Sequence, residues 1–233
     1  MKLFASLSFF AFAAALAANP ASQDLPLSKE AQSHLTPDEV LADLLVGNAH
    51  FMENHLTPRD LPARRHACVN GQYPKAYILS CIDSRVPAEQ VFDQALGDVF
   101  VGRVAGNVEG VDQLGSMEYA AVVAGVRVIL VLGHESCGAV KGAIDHVQMG
   151  NLTALLHEIE PAVESVKAHH GDHAHADSHN HAFVDEVVAE NVKRTVADIR
   201  QRSEALAQLE HDGRLRIIGA VYSLETGKVT LVQ

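Results

Sequence analysis

Four short runs of apolar, mostly β-branched residues recur along the chain, and segments with helical spacing lie between them. The runs are AYILS at 76–80, VFV at 99–101, VRVILVL at 126–132 and LRIIGAV at 215–221. Helical spacing of apolar residues follows Gly110, begins again near Ser136 and extends from Val184 to Ile199. Strands that are buried on both faces and alternate with helices form parallel sheets. The sequence therefore predicts an α/β fold with a mainly parallel four-stranded sheet and helices on its faces.

A helix and a final strand extend this core at its two ends. Thr36-Pro37-Asp38-Glu39 combines a capping Thr, a first-turn Pro and a Glu three residues after the cap, which together favour a helix start. The apolar face of this helix consists of Val40, Leu41, Leu44, Leu45 and Phe51. Such an N-terminal helical arm packs either on its own core or on a second subunit. A turn at 225–228 leads into Val229–Val232, which we predict to be an antiparallel edge strand.

Residues 1–18 have the pattern of a secretory signal peptide. An uncharged apolar run from Leu3 to Ala17 ends in small residues with the spacing of a cleavage site. A membrane anchor is the alternative, but the run is short for a bilayer and Asn19-Pro20 follows it at once. We expect cleavage to leave a linker at 19–35 and one domain at 36–233. The mature protein would then be secreted, periplasmic in a Gram-negative bacterium, and no longer attached to a membrane.

Charge and size narrow the class of ligand. The formal net charge is −11, so the chain has no surplus of Lys and Arg with which to neutralise a nucleic-acid backbone. A length of 233 residues with 48% apolar content suffices for one domain with a core. The composition therefore indicates a small substrate, and an anionic one would need a local cationic group.

Two of the three cysteines lie directly after predicted strands, beside other metal-ligating residues. Cys81 follows the first apolar run, and His134 and Cys137 follow the third. Carboxyl ends of parallel strands meet at one edge of a sheet, so these side chains can share a site. Two thiolates and an imidazole are good ligands for Zn2+ and leave a fourth position for water. In an exported chain, a Cys81–Cys137 disulfide with a spare thiol at Cys68 is the alternative.

Asp83 and Arg85 follow Cys81 closely and supply charges that such a metal site needs. Zn2+ with two thiolates is formally neutral, so it acidifies bound water less than a zinc held by three histidines. Asp83 can accept a hydrogen bond from that water, or become a fourth ligand in a closed, inactive form. Arg85 can hold the carboxylate away from the metal through two hydrogen bonds and attract a bicarbonate anion. Taken alone, an Asp-x-Arg pair is more often a surface ion pair.

These two segments resemble the zinc signature of the β-class carbonic anhydrases. That signature is Cys-x-Asp-Ser-Arg followed by Gly-His-x-x-Cys-Gly, and residues 81–85 and 133–138 match it. The likeness extends from about Thr36 to Val232 and includes FVGRVAGN at 100–107. It implies a homodimer or larger homo-oligomer. It also implies that Zn2+ is bound by Cys81, His134 and Cys137 and gated by Asp83 and Arg85.

Within this family the sequence is more similar to the plant-type branch. Gly71-Gln72-Tyr73-Pro74-Lys75 fits a segment whose Gln lies by the substrate, so Gln72 is a candidate donor to a substrate oxygen. The bicarbonate-inhibited branch instead has a Trp three residues before the first Cys ligand, where Ile78 stands here. The resemblance therefore implies an open site at neutral pH. Candidate lining residues of the CO2 pocket are Phe100, Tyr119 and Gly138. For Gln72, Phe100 and Tyr119 the alternative is packing or turn formation.

The resemblance implies reversible hydration of CO2 to bicarbonate and a proton, through attack of a zinc-bound hydroxide. Two alternatives keep the metal but change the function: hydrolysis of carbonyl sulfide or carbon disulfide, and zinc buffering in the periplasm. The second draws on HHGDHAHADSHNH at 169–181, in which six of thirteen residues are His. We predict a mobile surface loop here, which either captures zinc or is only a solvated connection. His50, His66 and this loop are candidate proton shuttles.

Overall fold

The computed structural model describes residues 25–170 and 176–232, and a five-stranded sheet lies at its centre. Its strands run β2-β1-β3-β4-β5, with all neighbours parallel except the β4–β5 pair at the edge. The strands are β1 Ala76–Ser80, β2 Val99–Arg103, β3 Val128–His134, β4 Arg216–Tyr222 and β5 Val229–Val232. The predicted α/β fold, with four parallel strands and an antiparallel edge strand, is confirmed.

Helices cover both faces of the sheet because successive strand residues point to opposite sides. On one face, Ile78 and Leu130 pack with residues of α2 and α4. On the other, Leu79 and Val131 pack with residues of α5, α9 and α10. The helices are α1 Lys29–His34, α2 Pro37–Met52, α3 Leu61–Ala67, α4 Ala88–Val91, α5 Val111–Glu118, α6 Gly138–Ile144, α7 Gly150–His157, α8 Glu160–His170, α9 His181–Arg202 and α10 Glu204–His211.

Helix α2 starts where the sequence predicts. Thr36 caps it, its side chain accepting from the Glu39 N–H while the Glu39 carboxylate accepts from the Thr36 N–H. Val40, Leu41 and Leu44 are buried in the cluster on the first sheet face. The arm was predicted to pack either on its own core or on a second subunit. The apolar face of α2 packs on the core of its own chain.

Part of the predicted linker at 19–35 is helical instead. Residues 1–24, with the predicted signal peptide, lie outside the described residues. Ser28 caps α1, and Gln32 is buried on it. The Gln32 amide donates to the Pro74 carbonyl at 2.6 Å and to the Ala124 carbonyl at 2.8 Å, which ties the helix to the main domain. A linker was predicted because this stretch is polar, and the sequence gives no sign that Gln32 is buried with two tertiary hydrogen bonds.

Helix α9 packs unusually close to the sheet at two glycines. A Cβ on Gly133 of β3 would lie 2.6 Å from Val192 Cγ2, and one on Gly219 of β4 would lie 2.5 Å from Val192 Cγ1. A side chain at either position would separate the helix from the strands. The absence of both side chains brings α9 against the end of β3 that carries His134.

No helix in the described part of the chain is long and apolar enough to cross a membrane.

Candidate metal centre

Two loops at the carboxyl ends of β1 and β3 bring Cys81, His134 and Cys137 together. The Cys81 and Cys137 sulfurs are 4.0 Å apart, and one ligand atom from each of the three residues lies within 4.8 Å of the others. All three side chains are buried. The strands β1 and β3 are direct neighbours in the sheet, which is why residues far apart in sequence share one site.

The imidazole of His134 is oriented by the backbone. Its Nδ1 lies 2.9 Å from the carbonyl oxygen of Glu135, which can only accept, so Nδ1 carries the proton. The other ring nitrogen, Nε2, is buried without a hydrogen-bond partner. In the neutral imidazole with this tautomer Nε2 has a free lone pair, and because a buried polar atom without a partner is costly, Nε2 is a candidate metal ligand.

The donor set fits Zn2+. In a tetrahedral site with Zn–S bonds of about 2.3 Å, two sulfurs lie about 3.8 Å apart. The observed 4.0 Å is close to that value. A disulfide requires about 2.05 Å, so the alternative of a Cys81–Cys137 disulfide is wrong, and both cysteines are free thiols.

The two sulfurs differ in their surroundings. The hydrogen bond between the two sulfurs, opposed by burial and helped by the Gly106 N–H at 3.4 Å, lowers the pKa of Cys81. The same bond, together with deeper burial, raises the pKa of Cys137. Cys137 occupies the N-cap position of α6, and the helix begins close to Ser136, where the sequence predicts a helix start.

The loop that carries His134 and Cys137 is held by its neighbours. The Glu135 N–H donates to the Tyr222 carbonyl at 3.1 Å, and the Glu135 carboxylate accepts from the Leu224 N–H at 2.9 Å. The Ser136 N–H donates to Asp185 Oδ1 of α9 at 3.1 Å. Ser136 has a φ of 53°, which is uncommon for a residue with a side chain. These contacts fix the turn that joins His134, at the end of β3, to Cys137.

Asp83 lies beside the cluster and is bound by Arg85. The guanidinium donates from Nε to Oδ1 at 2.9 Å and from Nη2 to Oδ2 at 2.7 Å, and the Arg85 N–H also donates to Oδ1 at 2.9 Å. These bonds hold the pKa of the Asp83 carboxyl well below its usual range despite its partial burial. Asp83 Oδ2 lies 3.8 Å from His134 Nε2, so the carboxylate borders the ligand cluster.

Arg103, at the end of β2, holds the loop from Cys81 to Asp83 in place. Its guanidinium donates to the Cys81 carbonyl at 2.9 Å and to the Asp83 carbonyl at 2.5 Å. No role for Arg103 was predicted from the sequence. Its position at the carboxyl end of the strand next to β1 was the available signal, because that end of a parallel sheet is where ligands gather.

Comparison with known proteins identifies the family. A family model described as carbonic anhydrase matches residues 76–229, which contain all three cluster residues. A carbonic anhydrase from Mycolicibacterium smegmatis is 39% identical over 191 residues, covering 79% of this chain and 88% of that protein. Carbonic anhydrase 2 from Mycobacterium tuberculosis is 38% identical over 188 residues, covering 79% and 87%.

The chain belongs to the β-class carbonic anhydrases. It is therefore an enzyme that hydrates CO2. The β-carbonic anhydrase CcaA has the same fold, with a TM-score of 0.66 at 26% identity over 82% of this chain and 87% of that one. The β-carbonic anhydrase CafA of Aspergillus fumigatus has a TM-score of 0.67 at 22% identity, covering 84% and 90%, which supports the fold alone.

Gln72 lies away from the metal cluster of this carbonic anhydrase. It precedes β1, whereas Cys81 follows it, so the two residues are at opposite ends of the strand. Gln72 is exposed and lines a groove with Val122 and Val123. Within one chain the whole strand separates Gln72 from Cys81, so the expected contact of Gln72 with the substrate stays a prediction that requires a second subunit.

The predicted pocket residues of the carbonic anhydrase fall in two places. The rings of Phe100 and Tyr119 pack edge-on, with centroids 6.3 Å apart, and line a groove of about 780 Å³ that reaches Arg103. Gly138 follows Cys137, and a Cβ there would meet no heavy atom within 4 Å. Gly138 thus leaves open space beside the ligand. A role in binding CO2 stays a prediction for all three.

The His-rich segment predicted as a loop at 169–181 is shorter than expected. His169 and His170 continue α8, and His181 is the first residue of α9. Residues 171–175 lie outside the described part. Ser178 is buried and donates to Asp145 at 2.6 Å, and His181 Nδ1 lies 3.5 Å from the Ser136 hydroxyl. The C-terminal end of this segment therefore borders the loop of the metal ligands.

Proposed function

We propose that this enzyme hydrates CO2 reversibly to bicarbonate at a Zn2+ ion held by Cys81, His134 and Cys137. The observation that carries this proposal is the buried, unpartnered Nε2 of His134 beside two free thiols. Zn2+ in such a site acts as a Lewis acid that lowers the pKa of water and so supplies the nucleophile near neutral pH.

Asp83 and Arg85 act on the water rather than on the metal. As an anion beside the cluster, Asp83 accepts a hydrogen bond from the attacking water and orients its lone pair towards CO2. Two thiolates offset the charge of Zn2+, so the metal alone would lower the pKa of the water only weakly. The Asp83 carboxylate helps as an additional hydrogen-bond acceptor. Arg85 binds both carboxylate oxygens and thereby keeps Asp83 from becoming a ligand.

Metal analysis combined with stopped-flow CO2 hydration tests the proposal. We expect one tightly bound Zn2+ in the wild type, loss of zinc and of hydration in Cys137→Ala, and retention of both in Cys68→Ala. Cys68 is the matched control because it is a free cysteine outside the cluster. Several zinc ions per chain without CO2 hydration would overturn the proposal in favour of metal buffering.

We also propose that the enzyme is a homodimer or a larger homo-oligomer. The β2 strand is an edge of the sheet in the described part of the chain, and α5 with the π-helical segment Tyr119–Val123 after it exposes large apolar side chains. These are Val111, Tyr119, Val122 and Val123. A structural neighbour from Sordaria macrospora is described as tetrameric, at a TM-score of 0.63 and 20% identity.

A second subunit on this surface would also bring the Gln72 side chain next to another chain, as its predicted role at a substrate requires. Because Gln72 lines a groove with Val122 and Val123, a partner that covers these valines lies beside its amide. Sedimentation of Val122→Glu is the test, with Val46→Glu on α2 as the control, since the two valines are 58% and 55% exposed. We expect only Val122→Glu to dissociate. A wild type that sediments as a monomer would exclude the oligomer.

For location, we propose export with removal of residues 1–18, on the sequence pattern described above. Mass spectrometry of the protein from the extracytoplasmic fraction tests this proposal. A full-length mass, or retention in the cytoplasm, would overturn it.

A further inference from the structure

Asn191 stands out on α9 as a polar side chain within an apolar stripe. Val184, Val187, Val188 and Val192 on the same helix are buried against the sheet and the neighbouring helices. Asn191 is buried among them, and its amide donates to the carbonyl oxygen of Gly106 at 2.8 Å. A buried amide is retained at little cost only when it has such a partner.

Gly106 connects this hydrogen bond to the metal cluster. Its N–H donates to the Cys81 sulfur at 3.4 Å, while its carbonyl accepts from Asn191. Gly106 has a φ of 71°, and a Cβ there would lie 2.5 Å from Ile159 Cδ1. The short turn Ala105–Asn107 therefore needs a glycine at its centre, and it is held from both sides.

The close packing of α9 makes this connection possible. Val188 and Val192 flank Asn191, and both lie against Gly133, where a side chain would push the helix away. Gly133 directly precedes His134 on β3. The same helix face thus lies against the strand that presents one ligand and against the turn that contacts another.

We propose that Asn191 is a positioning residue for the metal ligand Cys81. By fixing the Gly106 carbonyl, it keeps the Gly106 N–H directed at the sulfur. An N–H···S hydrogen bond withdraws electron density from a thiolate, so Cys81 donates less to the metal. The inference rests on the proposed role of Cys81 as a ligand and extends it to a residue outside the sequence motifs.

The electronic state of the Cys81 thiolate reports on this role directly. In Cd2+-substituted protein, the thiolate-to-metal charge-transfer band should move to longer wavelength in Asn191→Leu, because the sulfur lone pair rises in energy when its hydrogen bond is lost. Release of Zn2+ to a chelator should still be about tenfold faster, because losing the group that orients Cys81 outweighs the stronger donation of its sulfur. Asn191→Ser, which is too short to reach Gly106, should shift the band in the same direction.

Thr195→Val is the matched control. Thr195 lies one turn further along α9, is equally buried, and makes no hydrogen bond to the 105–107 turn. It should leave the band and the release rate unchanged. Unchanged spectra in both Asn191 variants would overturn the positioning role. A wild-type protein without any thiolate charge-transfer band would instead overturn the assignment of Cys81 as a ligand.

Discussion

Arg85 binds both carboxylate oxygens of Asp83 and adds a third hydrogen bond from its own backbone N–H. Asp83 is thereby fixed as an anion at the border of the ligand cluster. In Asp83→Asn the side chain keeps its shape but loses the charge that orients water. We expect kcat/KM for CO2 hydration to fall about 10- to 100-fold with zinc content unchanged. Wild-type rates in a fully metallated variant would contradict the role of Asp83.

Arg85→Gln should act differently from substitutions of the ligands. Without the guanidinium, Asp83 is free to turn towards the metal and occupy the fourth position. We expect lower activity together with zinc release that is as slow as in the wild type or slower. Chelator competition and stopped-flow hydration on the same preparations check this combination. Faster zinc release would show that Arg85 stabilises the loop rather than restrains Asp83.

Gly133→Ala should destabilise the fold. The added Cβ would lie 2.6 Å from Val192 Cγ2 and 3.1 Å from Val188 Cγ1, so α9 must move away from β3. We expect a loss of about 1 to 3 kcal/mol in the free energy of unfolding. Urea denaturation measures it, with Gly115→Ala as the control because a Cβ there meets no heavy atom within 4 Å. Equal stability of the two variants would contradict the close approach.

Asp93 should contribute more to the free energy of unfolding at neutral pH than at acidic pH. Burial opposes its ionisation, but hydrogen bonds from Thr57 and His50 outweigh it and lower the pKa of Asp93. A carboxyl whose pKa is lower in the folded than in the unfolded state stabilises above about pH 4 and loses that effect as the pH falls further.

Asp93→Asn should therefore reduce the free energy of unfolding by about 1 to 3 kcal/mol at pH 7, with the difference shrinking below about pH 4. Denaturation at several pH values measures this trend. Glu158→Gln, an exposed acid without a side-chain hydrogen bond, is the control. A difference that grew towards low pH would contradict the direction of the Asp93 shift.

Local sequence patterns predicted the strands and the ligand cluster because these depend on short-range regularities. Buried parallel strands have apolar runs, and their ends carry Cys81 and His134 side by side. Asp83 and Arg85 were predicted because two residues of one loop can meet without any knowledge of the fold.

Longer-range contacts could not be predicted in this way. Arg103 reaches the Cys81 loop from another strand, and Asn191 reaches Gly106 from a helix 85 positions away. Their roles depend on strand order and on the distance between α9 and the sheet. Gln72 depends on a relation between chains rather than within one. The motif match places it by a substrate, but in one chain it lies at the far end of β1, so this role needs a second subunit and stays a prediction.

The choice of tautomer at His134 is made by the main chain. Many metal-binding histidines are oriented by a carboxylate or another side chain, which random mutation can replace. Here the acceptor is the carbonyl oxygen of Glu135, which every amino acid at that position possesses. A substitution at Glu135 therefore removes the carboxylate that accepts from the Leu224 N–H, but it leaves in place the acceptor that fixes the imidazole tautomer.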